Sequence, residues 1–200
     1  MNITLNNVRL SFPHIFTPQE AKEAGGKPKY NAAFLIEKST QGDLIVAIQV
    51  AIEKVATAKW PKGIPNSVRG EKICLRDGAT KDHDGYDASV MFLTASSPVM
   101  PTVVNRNRTP LTEADGVIFA GCYVNVIVEI WAQDNSFGKR VNASLKAIQF
   151  YADGEPFGDK PVTPDAFADL DSGSSATAPD PSDAYADENA DLRKPGSSMF

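Results

Sequence analysis

The residues of this chain best equipped for chemistry are cations set beside aromatic rings. Tyr123 and Trp131 alternate along CYVNVIVEIW, Phe137 stands in the turn that follows, and Lys139, Arg140 and Lys146 are close by. Lys27 and Lys29 frame the start of another segment. Arg76 and Lys81 flank a polar loop that also holds Tyr86, and Arg106 and Arg108 crown the basic stretch NRNRT. Rings stack on bases at about 1–3 kcal/mol each. Cations neutralise phosphates and make such binding salt-dependent. The combination suits a single nucleic-acid strand, with Trp131, Phe137 and Tyr86 as the expected base-stacking rings.

Catalytic chemistry finds fewer parts. Asp82, His83, Asp84 and Asp87 form an acidic cluster, but the glycine and closing glutamate of a calcium loop are missing and only one imidazole is offered to zinc. Gly25-Gly26-Lys27 lacks the upstream glycine of a phosphate loop, and Pro28 stands where Ser or Thr should follow. His14 and His83 are the only histidines, and no GxSxG occurs. We therefore expect no catalytic residue, metal or cofactor. Two competing readings remain: a metal-dependent nuclease built on Asp82, Asp84 and Asp87, and an acidic DNA mimic or scaffolding protein.

These side chains must be positioned by strands. Val124, Val126, Val128 and Ile130 share one face of a period-two pattern, while Tyr123, Asn125, Ile127, Glu129 and Trp131 share the other. A turn over Gln133 to Lys139 and a second strand from about Arg140 to Tyr151 complete a long antiparallel hairpin. Met1 to Phe12 also alternates, but Ile3 and Leu5 point one way and Val8, Leu10 and Phe12 the other, so a bulge is expected near Asn6 and Asn7. Pro13 to Pro28 reads as loop. Lys29 to Glu37 is a strand, with Tyr30, Ala32, Phe34 and Ile36 on its apolar face.

Gln41 to Trp60 is the one helix. Leu44, Ile45, Ile48, Ala51, Ile52 and Val55 form its stripe, Thr40 or Asp43 is its expected cap, and Pro61 stops it. Ile73 to Leu75, Ala88 to Thr94 and Pro98 to Val104 read as shorter extended pieces. Five or six strands with one helix between them suit a five-stranded barrel of the oligonucleotide-binding type.

Composition divides the chain. Its 200 residues are 42% hydrophobic, enough for one core. No apolar run approaches the length of a bilayer span and no leader pattern opens the sequence, so a soluble intracellular protein is expected. Cys74 and Cys122 sit in apolar surroundings and read as small buried hydrophobes. Residues 1–160 hold 18 Lys and Arg against 17 Asp and Glu; residues 161–200 hold 2 against 8. The expected organisation is a folded body over 1–160 and an acidic tail over 161–200, too poor in apolar residues to order itself. Such a tail mimics a polyphosphate and could compete for the body's cations. Met199 and Phe200, apolar at the tip, are its expected anchor for a partner.

Three stretches, KYNAAFLIEK (29–38), LRDGATKDHDGYDASVMFLTASSPVMPTVV (75–104) and FAGCYVNVIVEIWAQDNSFGKRVNASLKAIQFYADGEPFG (119–158), carry a resemblance. The chain resembles the single-stranded-DNA-binding proteins of tailed bacteriophages, a family with one oligonucleotide-binding fold and an acidic C-terminal tail. The resemblance implies sequence-independent binding of single-stranded DNA in phage replication, recombination or repair. It also implies contact with replication proteins through the tail, in the cytoplasm of the infected host. Arg193 to Ser198 intervene between the tail acids and Phe200, where related tails place acids directly before the last aromatic.

Overall fold

The computed structural model describes residues 1–21 and 26–158; the acidic tail, with Met199 and Phe200, lies outside the described residues. In chain order the elements are β1 (Asn2–Gln19), β2 (Lys29–Glu37), α1 (Gly42–Lys59), β3 (Leu75–Asp77), β4 (Val90–Ser97), β5 (Thr102–Val104), β6 (Tyr123–Asn135) and β7 (Gly138–Ala152). Five of the strands close a barrel. β1 pairs antiparallel with β2 and with β6, β2 with β4, and β6 with β7. A single parallel bridge, Ser96 to Ser144, joins β4 to β7 and completes the ring. β3 extends β4, and β5 runs parallel to β7 beside Ala147 to Gln149.

Alternation in the hairpin decides its inner face. Val124, Val126, Val128 and Ile130 are fully buried, facing Val141, Ala143, Leu145 and Ile148 of β7 in one core. Helix α1 delivers Ile45, Ile48, Ala51 and Ala56 to the same core. Full burial of such side chains contributes about 1.5–3 kcal/mol apiece against exposure. Among the described residues no helix is long and apolar enough to cross a membrane.

The bulge expected at Asn6 and Asn7 is present: the register of β1 against β6 shifts between Leu5 and Val8, and Asn7 has φ 51°. It buries Leu5 and Val8 alike despite their opposite phase. Helix capping differs from expectation. Neither Thr40 nor Asp43 caps α1; Gln41 holds the N-cap position without a side-chain cap bond. Its amide instead accepts from the Glu37 N–H at 3.0 Å and donates to the Asn6 and Asn7 carbonyls at 3.2 and 3.0 Å. The helix start is thus fastened to the bulge.

Three boundaries also move. β1 does not end at Phe12 but continues through Pro13 to Gln19, absorbing two further register shifts. This works because Pro13 sits where two β1 residues oppose one of β2, a position that needs no ladder N–H. The turn expected over Gln133 to Lys139 contracts to Ser136 and Phe137, with Asn135 facing Gly138 (φ 104°). The short strand expected at Ile73 begins at Leu75, Ile73 making only an isolated bridge to Val141.

Candidate nucleic-acid interface

The barrel's outer surface is indented by a groove of about 640 Å³ that crosses β1, β2, β4 and β7. Its floor is made of outward positions of three strands: Asn31 of β2, Thr94 and Ser96 of β4, and Asn142 of β7. Small polar side chains stand there because their neighbours in sequence, Ala32, Ala95, Val141 and Ala143, turn inward. Arg76, Lys81 and Arg140 line the groove, as do both histidines, His14 and His83, with Glu71 the acid at its edge. Arg140 makes no ion pair among the described residues. Cys74 also borders the groove, but burial pushes its thiol up to about 11, so it is not a nucleophile at neutral pH.

One wall is aromatic. The Lys81 Nζ lies 4.7 Å from the Phe12 ring centre, 4.9 Å from Tyr86 and 5.3 Å from Phe92. The Arg76 guanidinium lies 4.7 Å over Phe92 and reaches the Thr94 hydroxyl at 3.4 Å. Ring quadrupoles attract both cations, and Arg76 makes no ion pair among the described residues. The Arg76 Nε is buried and has no hydrogen-bond partner among the described residues.

Tyr86 must be reassigned within this wall. The loop 76–87 reads as polar and solvated, which made Tyr86 an expected stacking ring. It is instead 7% exposed, packed with Leu35, Val90, Phe92 and Phe157, and burial raises its phenol above the ordinary value. Phe157 explains why. This ring lies so close to Gly85 (φ +77°) that a Cβ there would collide with it. Arg9 grips the same exit segment, its guanidinium 4.0 Å over the Phe157 ring and donating to the Glu155 carbonyl at 2.6 Å. Residues 153–158 therefore press the loop against the barrel, and Tyr86 supports the groove from behind.

The hairpin's outer face adjoins the groove along β7. Trp131 lies opposite Asn142, is 40% exposed, and donates from Nε1 to the Ser144 hydroxyl at 2.9 Å. Phe137 occupies the hairpin tip and is 80% exposed. Lys139 pairs with Asp134 at 3.4 Å and Lys146 with Glu129 at 2.7 Å. Tyr123 is distant from Trp131, eight residues along β6 or about 26 Å, with its ring against Gly154.

The other expected cations divide. Lys29 opens β2 opposite Gln19, a groove residue, with exposed Lys27 just before it. Arg106 and Arg108 are exposed in the loop whose Asn105 and Arg106 carbonyls accept from Gln149, at the far end of β7 from Arg140. The structure thus gathers Arg76, Lys81, Arg140, Lys29 and Trp131 around one groove, and sets Tyr123, Arg106 and Arg108 apart from it. Sequence reasoning did not include Phe12, His14 or His83 among the binding residues. Among the described residues no group of three or more His, Cys, Asp or Glu could hold a metal ion; the Asp87 carboxylate accepts from both the hydroxyl and the N–H of Ser89, which hold its pKa below the ordinary value.

Residues 1–177 match the family of the Enterobacter phage Enc34 ssDNA-binding protein. Protein p50 of Acyrthosiphon pisum secondary endosymbiont phage 1 is 45% identical over 163 residues, 78% of this chain and 86% of that one. The fold is similar to that of the single-stranded DNA-binding protein from bacteriophage Enc34 solved in complex with ssDNA. The TM-score is 0.69 and the identity 32%, covering 78% of this chain and 89% of the other. A bacteriophage T7 single-stranded DNA binding protein shares the fold at TM-score 0.53 and 12% identity, covering 81% of this chain and 97% of the other. The chain belongs to the Enc34-type phage ssDNA-binding protein family, and its β-barrel with one helix is of the oligonucleotide-binding type.

Proposed function

We propose that this protein binds single-stranded DNA without regard to sequence, through the groove across β1, β2, β4 and β7, and that it performs no catalysis. The observation that carries this reading is the convergence of Arg76, Lys81 and Arg140 on one polar-floored groove with an aromatic wall. Family membership and the ssDNA-bound relative support it. Arg76, Lys81 and Arg140 gather phosphates, and the floor offers amides and hydroxyls that bond any base. Lys27 and Lys29 extend the path at one end, and Trp131 and Phe137 supply rings beside Arg140. Lys139 and Lys146 contribute once DNA phosphates outcompete Asp134 and Glu129. Tyr123, Arg106 and Arg108 would meet only a strand that continues past the groove.

The finer assignment is part of the same proposal. Residues 1–160 form the DNA-binding body and 161–200 an acidic tail that competes with DNA for the groove. Met199 and Phe200 engage phage replication proteins, and the protein serves replication, recombination or repair in the host cytoplasm.

Tryptophan fluorescence tests this directly. Trp60 is 7% exposed and Trp131 40%, so oligo-dT should quench chiefly Trp131, steeply less so at high salt. Trp131→Phe should abolish the quenching while a gel shift persists. A chain ending at Gly158 should bind more tightly than the full chain. Absence of binding by both chains at low salt overturns the reading, and loss of DNA in magnesium that a chelator prevents overturns its non-catalytic part.

A further inference from the structure

Phe12 is the residue of the groove whose conformation packing does not explain. Strand alternation continues Val8 and Leu10 into Phe12, which would place all three rings and branches in the core. Val8 and Leu10 are fully buried, yet Phe12 is 42% exposed. The inversion comes from its backbone: φ is +49°, in the left-handed region, at a bulge where Phe12 and Pro13 lie between the pairs Ser11–Ala33 and His14–Asn31. That region is unfavourable for a bulky side chain. It is unfavourable again for a residue before proline, which prefers extended backbone. An apolar ring is thus turned out of a core that its neighbours enter, into a groove lined by cations. Strain of this kind, held by surrounding structure, is found at ligand clamps.

Its setting also fits a ligand. The His83 ring meets Phe12 edge-on at 5.2 Å, Tyr86 lies 6.1 Å away, and the Lys81 ammonium stands 4.7 Å from its centre. The ring is braced on one side by His83 and Tyr86, and its remaining exposed surface is open to a nucleotide laid against it.

We propose that Phe12 is a base-stacking platform, its left-handed backbone kept for presenting the ring to a nucleobase in the groove. This rests on the single-strand reading above. Every base has a π-face, so the platform serves sequence-independent binding.

The test compares the full-length protein with Phe12→Asn, since Asn tolerates the left-handed region, and with Phe12→Tyr, which keeps the ring. Oligo-dT and an abasic strand of equal length are titrated by fluorescence anisotropy across a salt series. Phe12→Asn should bind oligo-dT about 5- to 100-fold more weakly, with the salt slope unchanged, and should melt no lower than the parent. Phe12→Tyr should bind like the parent, and all three proteins should bind the abasic strand alike. Irradiating the unaltered protein with a 5-iododeoxyuridine oligomer should crosslink the peptide containing Phe12. Equal affinity of Phe12→Asn and parent for oligo-dT overturns the proposal. An equal loss on the abasic strand also overturns it, because the ring would then act only by holding Lys81. If the parent binds neither strand, it is the underlying single-strand reading that falls.

Discussion

Two regions of the barrel surface carry rings beside basic residues, and they treat their charges in opposite ways. On the hairpin, Lys146 and Lys139 lie 2.7 and 3.4 Å from Glu129 and Asp134, so each positive charge is cancelled where it stands. In the groove wall, Arg76 lies 4.7 Å over the Phe92 ring and makes no ion pair among the described residues. A ring fixes a cation without neutralising it, and the field over the groove survives. Proximity of Lys or Arg to an aromatic in sequence therefore says little about available charge; the cross-strand neighbour decides it.

The largest expected effect breaks or upholds that contrast directly. Arg76→Ala with Arg140→Ala should lower affinity for oligo-dT on the order of 10- to 100-fold. The slope of log K against log salt should shrink by about 1.4, two single-strand phosphate contacts. Lys139→Ala with Lys146→Ala should change affinity by less than about 3-fold. Equal losses from the two pairs, measured by anisotropy, would erase the distinction between the regions.

Next in size is the buttress behind the groove. Phe157→Ala should cost about 2 kcal/mol of stability in denaturant melts, below the usual range for a fully buried Phe because the ring is only partly buried. It should also weaken DNA binding by releasing the loop that carries Lys81, His83 and Tyr86. The hairpin face has no such support, so the matching truncation of exposed Phe137 should leave stability unchanged.

A smaller, pH-dependent effect belongs to the hairpin. The Asp134 carboxylate accepts from the Trp60 indole N–H at 2.8 Å, and this bond, aided by Lys139, holds its pKa below the ordinary carboxylate value. A carboxyl with a lowered folded pKa stabilises fully above its ordinary value and loses that contribution as pH falls through the folded one. Asp134→Asn should therefore lower Tm at pH 7, and the gap to the parent should close below about pH 4. A gap that persists at pH 2 would assign the effect to packing rather than charge. Smallest of all, Glu129→Gln should shift Tm by less than about 2 °C, as for exposed ion pairs generally.

The fold was legible wherever one face of an element is buried, because burial imposes its own period on the residues. The inner face of β6, the stripe of α1 and the bulge at Asn6 and Asn7 all follow from that local rule. The resemblance carried by three stretches led to the family that residues 1–177 match. The site was legible only in part. Arg76, Lys81 and Arg140 stood out as loop cations, but nothing local separated them from Lys139 and Lys146, whose acids face them from neighbouring strand positions.

What the sequence by itself determined is periodicity: which positions prefer the core, where one helix runs, and where charge accumulates. What only the tertiary structure decided is company. Phe12, Asn31, Arg76, Thr94 and Arg140 meet because barrel closure at Ser96 and Ser144 brings β1, β2, β4 and β7 around one groove. Tyr86 is buried because Phe157, seventy-one positions later, folds back over its loop. Phe12 faces outward because a bulge and a left-handed residue reverse the alternation that would hide it. Period is set by each strand's own backbone, whereas register, bulges and pairing are set by whichever strands come to lie beside it.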